Sequence, residues 1–167
     1  MPDFNEDGNP VVCEHQDQCH HALSLGYVPL RLMEPMHRAF RDPSISIHCS
    51  QIGRQVTKTT AKGANVWAGL SHPDDGFGAP IIGVGSDTVE HFHLIYDEMM
   101  KQIAQSPILS NWYSNSNRNE RWIKFHSIYN SGAHMQGFTG QQPDSWTGYT
   151  LFHLETDETQ FIPDAAI

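Results

Sequence analysis

Positively charged residues are scarce in this sequence. It holds 10 Lys and Arg against 19 Asp and Glu, which gives a formal net charge of -9 at pH 7. No block of basic residues is present that would neutralise a run of phosphates, and binding to nucleic acid or to an anionic membrane depends largely on such blocks. The composition therefore argues against a protein that binds nucleic acid directly and against one that binds a membrane surface.

Cysteines and long apolar runs are scarce as well. The chain has three cysteines, an odd number that favours reduced thiols over a disulfide framework. Pro, Asp or His interrupts every apolar run before it reaches the length of a membrane-spanning helix. The acidic start, Met1 to Asp7, has the pattern of neither a signal peptide nor a transit peptide. We expect a soluble protein that is made in the cytoplasm and is not secreted by a signal peptide.

The length and the apolar content predict one domain. With 167 residues, 38% of them hydrophobic, the chain can bury a core of ordinary size. We divide it into an extended acidic arm (1–27), an α+β domain (28–158) and a C-terminal tail (159–167). Residues 1–17 and 125–167 each contain five acidic residues and no Lys or Arg, so the negative charge is concentrated towards the two ends.

Hydrophobic periodicity predicts two helices. From about 30 to 41, apolar residues recur at spacings of three and four, and the pattern stops at Asp42-Pro43. From about 87 to 105, a longer amphipathic helix is expected, and the spacing of Asp87 and Glu90 is that of a capping box. Its apolar stripe consists of Val89, Phe92, Tyr96, Met99 and Ile103.

Short alternating or apolar segments predict strands at 44–52, 81–84, 122–129, 133–138 and 149–155. The Thr- and Val-rich segment 56–70 predicts a further strand or hairpin arm that turns at Lys62-Gly63. The polar run 114–119 predicts a solvated loop. The fold class we predict is a single α+β domain, with a mostly antiparallel sheet packed by the two helices and with extended N- and C-terminal arms.

Eleven histidines make metal binding a chemistry to consider. Cys13, His15, Cys19 and His20 lie close together in the arm and offer the thiolate and imidazole ligands of zinc, but their spacings are not the customary ones. His91 and His93 diverge by about 200° on a helix, so they would not share an ion there. We expect no cofactor, with zinc at the Cys13–His20 cluster as the alternative.

Cys49 is a candidate nucleophile, with His126 or His153 as its base. Alternation in the predicted strand directs Cys49 towards the core, where thiol ionisation is disfavoured, so a structural cysteine is favoured. We find no glycine-rich phosphate loop, nucleophile elbow or His-Glu-x-x-His pair. Gly83 to Ser86, before the long helix, is interpreted as a strand-to-helix turn. The main interpretation therefore assigns no catalytic residue.

The order of the predicted elements carries a family resemblance. A long amphipathic helix, a break at Gln105-Ser106-Pro107 and antiparallel strands follow one another, and Asp97–Leu109 is the most similar segment. From about Leu30 to Glu155 this order resembles bacteriophage tail-terminator and head-to-tail connector proteins, which are small α+β subunits that assemble as rings. The resemblance is one of architecture and carries no catalytic residues.

This resemblance implies a non-enzymatic structural or assembly subunit of a virion, with copies of itself and neighbouring structural subunits as partners. Aromatic and apolar side chains are the expected interface residues, namely Trp112, Tyr113, Trp146, Phe161 and Ile162. The alternative function is a small hydrolase or transferase that uses Cys49 or a His/carboxylate metal centre.

Overall fold

The structure is a computed structural model, and it describes residues 34–42, 44, 58–71, 80–126, 131–142, 144 and 147–156. The helices are α1 (Glu34–Arg41), α2 (Lys58–Ser71), α3 (Val89–Gln105) and α4 (Pro107–Trp112). The strands are β1 (Ile81–Ser86), β2 (Tyr113–Asn117), β3 (Trp122–His126), β4 (Ser131–Thr139) and β5 (His153–Thr156). The predicted arm 1–27, the tail 159–167 and nearly all of the predicted strand 44–52 lie outside the described residues.

The five strands form one mixed sheet in the order β2-β3-β4-β1-β5. Strands β2, β3 and β4 pair antiparallel in chain order. Strand β1 pairs in parallel with β4 on one side and with β5 on the other. The ends of β4, β1 and β5 therefore lie along one edge, which we call the carboxyl edge. The predicted α+β domain with a helix packed on a sheet is confirmed.

Helices α2 and α3 cover one face of this sheet. Ile82 of β1, Met135 of β4 and Ile123 of β3 are fully buried and stand side by side in register. The buried side of α3 contains Phe92, Ile95, Tyr96, Met99 and Ile103, while Leu94 points away and is 67% exposed. This matches the predicted stripe closely, because one wide apolar face on a long helix has a clear period.

The prediction of a strand or hairpin arm at 56–70 is wrong, because Lys58–Ser71 forms helix α2. Its buried residues include Ala61, Val66, Trp67 and Leu70, so most sides of the helix are apolar and its period is hard to see. Gly63 does not make a turn. A Cβ atom there would overlap the side chain of Gln102, so this glycine lets α2 approach α3 closely.

The prediction of a solvated loop at 114–119 is also wrong, because Tyr113–Asn117 forms the edge strand β2. Its residues are polar, and its structure is set by backbone pairing with β3. The following turn is closed by the side chain of Asn117, which accepts hydrogen bonds from the N–H groups of Asn119 and Glu120 at 3.0 and 3.1 Å.

Helix α3 starts one residue later than the capping-box spacing suggests. Thr88 is the N-cap, and its hydroxyl accepts a hydrogen bond from the N–H of His91 at 3.1 Å. Asp87 accepts instead from the N–H of Thr88 at 2.8 Å. The predicted break after Gln105 is confirmed, since Ser106 caps both the end of α3 and the start of α4.

Among the parts of the chain that the structure describes, no helix is long and apolar enough to cross a membrane.

Candidate functional site

The first turns of α2 lie beside the end of β5. The ammonium group of Lys62 donates a hydrogen bond to the backbone carbonyl of Thr156, the last residue of β5. One turn further along, the amide of Asn65 donates to Glu155 Oε1 at 3.3 Å. Towards the other end of the helix, the ring of Trp67 packs edge-on against Phe125, 5.4 Å between centroids.

These contacts fix the direction of α2. His126 pairs with Ser131, the first residue of β4. Its neighbour Phe125 therefore lies towards the edge of the sheet opposite the carboxyl edge. Helix α2 thus begins at the carboxyl edge and runs away from it. Ligands of α/β sheets bind outside the carboxyl ends of parallel strands, and a helix start offers unpaired N–H groups and the positive end of the helix dipole.

Helix α3 holds the first turn of α2 from another side. The hydroxyl of Thr60 donates to Glu98 Oε1 at 3.1 Å. The amide nitrogen of Gln102 donates to the backbone carbonyl of Thr60 at 3.1 Å. The start of α2 is therefore fastened to both the sheet and the neighbouring helix.

The sequence at the start of α2 partly matches the pattern of a phosphate-binding loop. Lys58-Thr59 opens the helix, and a phosphate-binding loop has the pattern Gly-x-x-x-x-Gly-Lys-Ser/Thr before a helix. In this chain Ile52 and Thr57 stand where that pattern has glycine, with Gly53 one position later. A search for paired glycines misses the segment for this reason. The Lys-Thr pair that opens a helix after a predicted strand is the signal that remains.

The second signal in the sequence is a pair of acidic residues after β5. Asp157-Glu158 comes directly after Thr156 in the sequence. Their placement, and that of residues 51–57, lies outside the described residues. The end of β5 is nevertheless beside α2, so the two short motifs flank described elements that are in contact. An acidic pair next to a strand end is common in sequences, and only the strand's position in the sheet makes this one informative.

The structure separates the two histidines proposed as bases. His126 lies on β3 and His153 on β5, with β4 and β1 between them. At about 4.8 Å per strand spacing, the two backbones are about 14 Å apart, so they do not share a site. His153 Nε2 lies 3.2 Å from Glu155 Oε1. Other predicted site residues lie outside the described residues, namely Cys13, His15, Cys19, His20, Cys49, Trp146, Phe161 and Ile162.

Two of the expected interface aromatics are only half-exposed. Trp112 and Tyr113 pack against the hydrophobic core, and the Tyr113 hydroxyl lies 2.9 Å from the hydroxyl of Ser116. Their role in an interface stays a prediction.

No metal cluster of three or more His, Cys, Asp or Glu occurs within the described ranges. His91 and His93 do not converge there. His91 Nδ1 instead lies 2.6 Å from Asp87 Oδ1. The zinc alternative at Cys13–His20 falls outside these ranges and stays a prediction.

A mixed sheet with two helices on one face, one of them starting at the carboxyl edge, defines the class of fold. Solved structures similar to this chain include the ATPase domain of the large terminase of Thermus phage P74-26. A mutant of that domain matches with a TM-score of 0.62 at 17% identity, over 85% of this chain and 58% of the other. Another structure of the domain matches with a TM-score of 0.57 at 17% identity, over the same shares, 85% and 58%.

The chain thus spans 58% of the length of those domains. A large terminase from the thermophilic bacteriophage D6E matches with a TM-score of 0.49 at 14% identity, over 65% of this chain and 27% of the other. A scan against protein-family models and a search of curated proteins find no match.

These comparisons overturn the main functional interpretation. The matched structures that share this fold are ATPase domains of a phage large terminase, and they give no support to a tail terminator or connector. The prediction of a non-enzymatic structural subunit is therefore wrong, while a connection to phage proteins is supported. A helix followed by antiparallel strands is common to many α+β folds, so the order of the elements alone does not distinguish these classes.

Proposed function

We propose that this chain binds a nucleoside triphosphate and hydrolyses it, as an ATPase domain of the kind found in phage large terminases. One observation carries the proposal: the contact of Lys62 with the carbonyl of Thr156. It joins the helix that opens with Lys58-Thr59 to the strand that Asp157-Glu158 follows. Hydrolysis agrees with the alternative class expected from the sequence, although Cys49 has no part in it.

Each group has a chemical role in this proposal. The N–H groups at the start of α2 and the ammonium group of Lys58 would bind the β- and γ-phosphates. The hydroxyl of Thr59 and the carboxylate of Asp157 would hold Mg²⁺, which prefers such oxygen ligands. Glu158 would orient the attacking water and accept its proton.

The hydrogen bonds of the neighbouring threonine support this assignment of the metal ligand. The hydroxyl of Thr60 donates to Glu98 and is therefore directed towards α3, whereas Thr59 follows Lys58 at the Ser/Thr position of the phosphate-binding pattern. The donor set of one hydroxyl and one carboxylate, completed by phosphate oxygens, fits Mg²⁺, which usually keeps few protein ligands. Bound Mg²⁺ would neutralise charge that develops on the phosphates.

The test is binding of ATP in the presence of Mg²⁺, together with release of inorganic phosphate. Lys58→Ala is expected to weaken ATP binding at least about tenfold, since it removes a charged phosphate contact. Lys124→Ala is the matched control, because Lys124 is an exposed lysine on β3 that stacks 4.6 Å from the ring of Trp122. Failure of the unchanged protein to bind ATP, or equal binding by the two variants, would contradict the proposal.

A second pair of variants separates binding from chemistry. Glu158→Gln is expected to keep ATP binding and to lower the rate of hydrolysis by about a hundredfold or more, because general-base catalysis contributes on that order. Glu90→Gln is the control, since Glu90 is exposed on α3. If Glu158→Gln hydrolyses ATP as fast as Glu90→Gln, the assigned role of Glu158 is wrong.

A further inference from the structure

Helix α3 forms two hydrogen bonds with one residue in the first turn of α2, Thr60. Two residues of α3 reach it: Glu98 accepts a hydrogen bond from its hydroxyl at 3.1 Å, and Gln102 donates one to its backbone carbonyl at 3.1 Å. Glu98 and Gln102 are four positions apart, so they stand on one face of α3. Thr60 follows Lys58-Thr59 within the same helical turn. Whatever fixes Thr60 therefore also fixes these two residues.

The orientation of the Gln102 amide is set from the other side. Gln102 is 2% exposed, and its Oε1 accepts a hydrogen bond from the indole nitrogen of Trp67 at 2.6 Å. Trp67 has no exposed surface, so it cannot turn away. With the oxygen held by Trp67, the amide nitrogen of Gln102 must face the backbone of α2. Gly63 leaves the space that this amide occupies.

The carboxylate of Glu98 is held less tightly. Its side chain is 26% exposed, and its second oxygen lies 3.6 Å from the ammonium group of the exposed Lys101. Glu98 is partly exposed while it is bonded to Thr60, whereas Gln102 is buried. Of these two residues, Glu98 is therefore the one that can be changed with less disturbance of the core.

We propose that Glu98 and Gln102 are positioning residues for the phosphate-binding end of α2, acting through Thr60 on Lys58 and Thr59. This inference rests on the proposed ATPase function. The first four N–H groups of a helix have no partner within it, and the first turn frays readily. Fastening Thr60 by its carbonyl and its hydroxyl holds those N–H groups in place before the phosphates arrive, which lowers the ordering cost of binding.

The test compares four variants by their affinity for ATP with and without Mg²⁺, their kcat and KM, and their unfolding midpoints. Thr60→Val removes the hydroxyl at nearly constant volume, and Glu98→Ala removes its acceptor. Each is expected to weaken ATP binding about tenfold, with and without Mg²⁺. The combined variant is expected to be no weaker than either single one, because both remove the same bond. Glu98→Gln retains an acceptor oxygen and is expected to bind ATP like the unchanged protein.

The outcomes separate this inference from the function on which it rests. If the unchanged protein does not bind ATP, the proposed function fails. If the unchanged protein binds ATP, and both Thr60→Val and Glu98→Ala bind ATP as tightly as the unchanged protein does, the positioning role is overturned. A loss confined to Thr60→Val and seen only with Mg²⁺ also overturns it, because Thr60 would then be a metal ligand. Equal losses in Glu98→Gln and Glu98→Ala overturn it as well, since the acceptor would not matter.

Discussion

His134 is a residue whose ionisation is linked to folding. It lies half-buried on β4, and burial lowers its pKa below the ordinary value of 6.5. The backbone carbonyl of Gly132, 3.2 Å from Nδ1, opposes this effect, and the charge of Lys124 adds to it. The unfolded chain therefore takes up the proton at a higher pH than the folded one. The folded state loses stability as pH falls through the ordinary pKa, and the loss ends below the folded pKa.

We predict that His134→Gln removes part of the acid sensitivity of the fold. Between pH 7.5 and 5.5, the free energy of unfolding measured in urea is expected to fall less in this variant than in the unchanged protein. His126→Gln is the matched control, because His126 is an exposed histidine on β3. An equal fall in His134→Gln and in the unchanged protein would show that His134 is not destabilising when protonated.

At the level of elements, the contact between β4 and α3 depends on one glycine. A Cβ atom at Gly137 would overlap the ring of Phe92 and would lie 2.8 Å from the Cβ of Arg121. Phe92 is fully buried and packs against Tyr96 at 6.2 Å between ring centroids. The ring therefore has little room to move. The absence of a side chain at Gly137 lets the helix lie directly on the strand.

Gly137→Ala is expected to lower the free energy of unfolding by about 1 to 3 kcal/mol, the usual cost of overpacking a core. The measurement is urea denaturation of the single variant and of the same change in a Phe92→Leu background. With a smaller side chain at 92 the penalty should shrink, because the overlap is with that ring. The same penalty in both backgrounds would mean that the ring of Phe92 is not what opposes the methyl group.

The helices and strands differ in how visible they are in the sequence. The sequence predicts helix α3 nearly to its ends because the helix has one buried face and one solvent face, which gives a clear period. Helix α2 is buried on most of its sides, so its sequence shows no such period. Strand β2 has polar residues without an apolar pattern, and pairing with β3 determines its conformation.

At the level of the whole molecule, the candidate site cannot be predicted from the sequence alone. The net charge of -9 argued against partners rich in phosphate, but a phosphate is bound by a few local groups and not by net charge. The contact that defines the site joins Lys62 to Thr156, which are 94 positions apart. The short motifs Lys58-Thr59 and Asp157-Glu158 become informative only when the fold brings helix α2 and strand β5 together. The prediction of a homo-oligomer stays a prediction.

If the chain binds ATP as proposed, the whole fold should gain stability from it. A ligand present at a hundred times its Kd stabilises the folded state by about 2.7 kcal/mol. For a chain of this size, 1 kcal/mol corresponds to about 2 to 4 °C in Tm. Saturating ATP with Mg²⁺ is therefore expected to raise the Tm by about 5 to 10 °C, and chelation of Mg²⁺ should reduce this rise.

The variants at the two lysines decide what the rise in Tm means. At the same ATP concentration, Lys58→Ala is expected to show at most about half of this rise, because a tenfold weaker ligand stabilises by only about 1.4 kcal/mol, and Lys124→Ala is expected to show the full rise. A rise of the same size in both would place the nucleotide away from the start of α2. Because this readout needs no hydrolysis, it also distinguishes a domain that binds ATP without cleaving it from one that does not bind it.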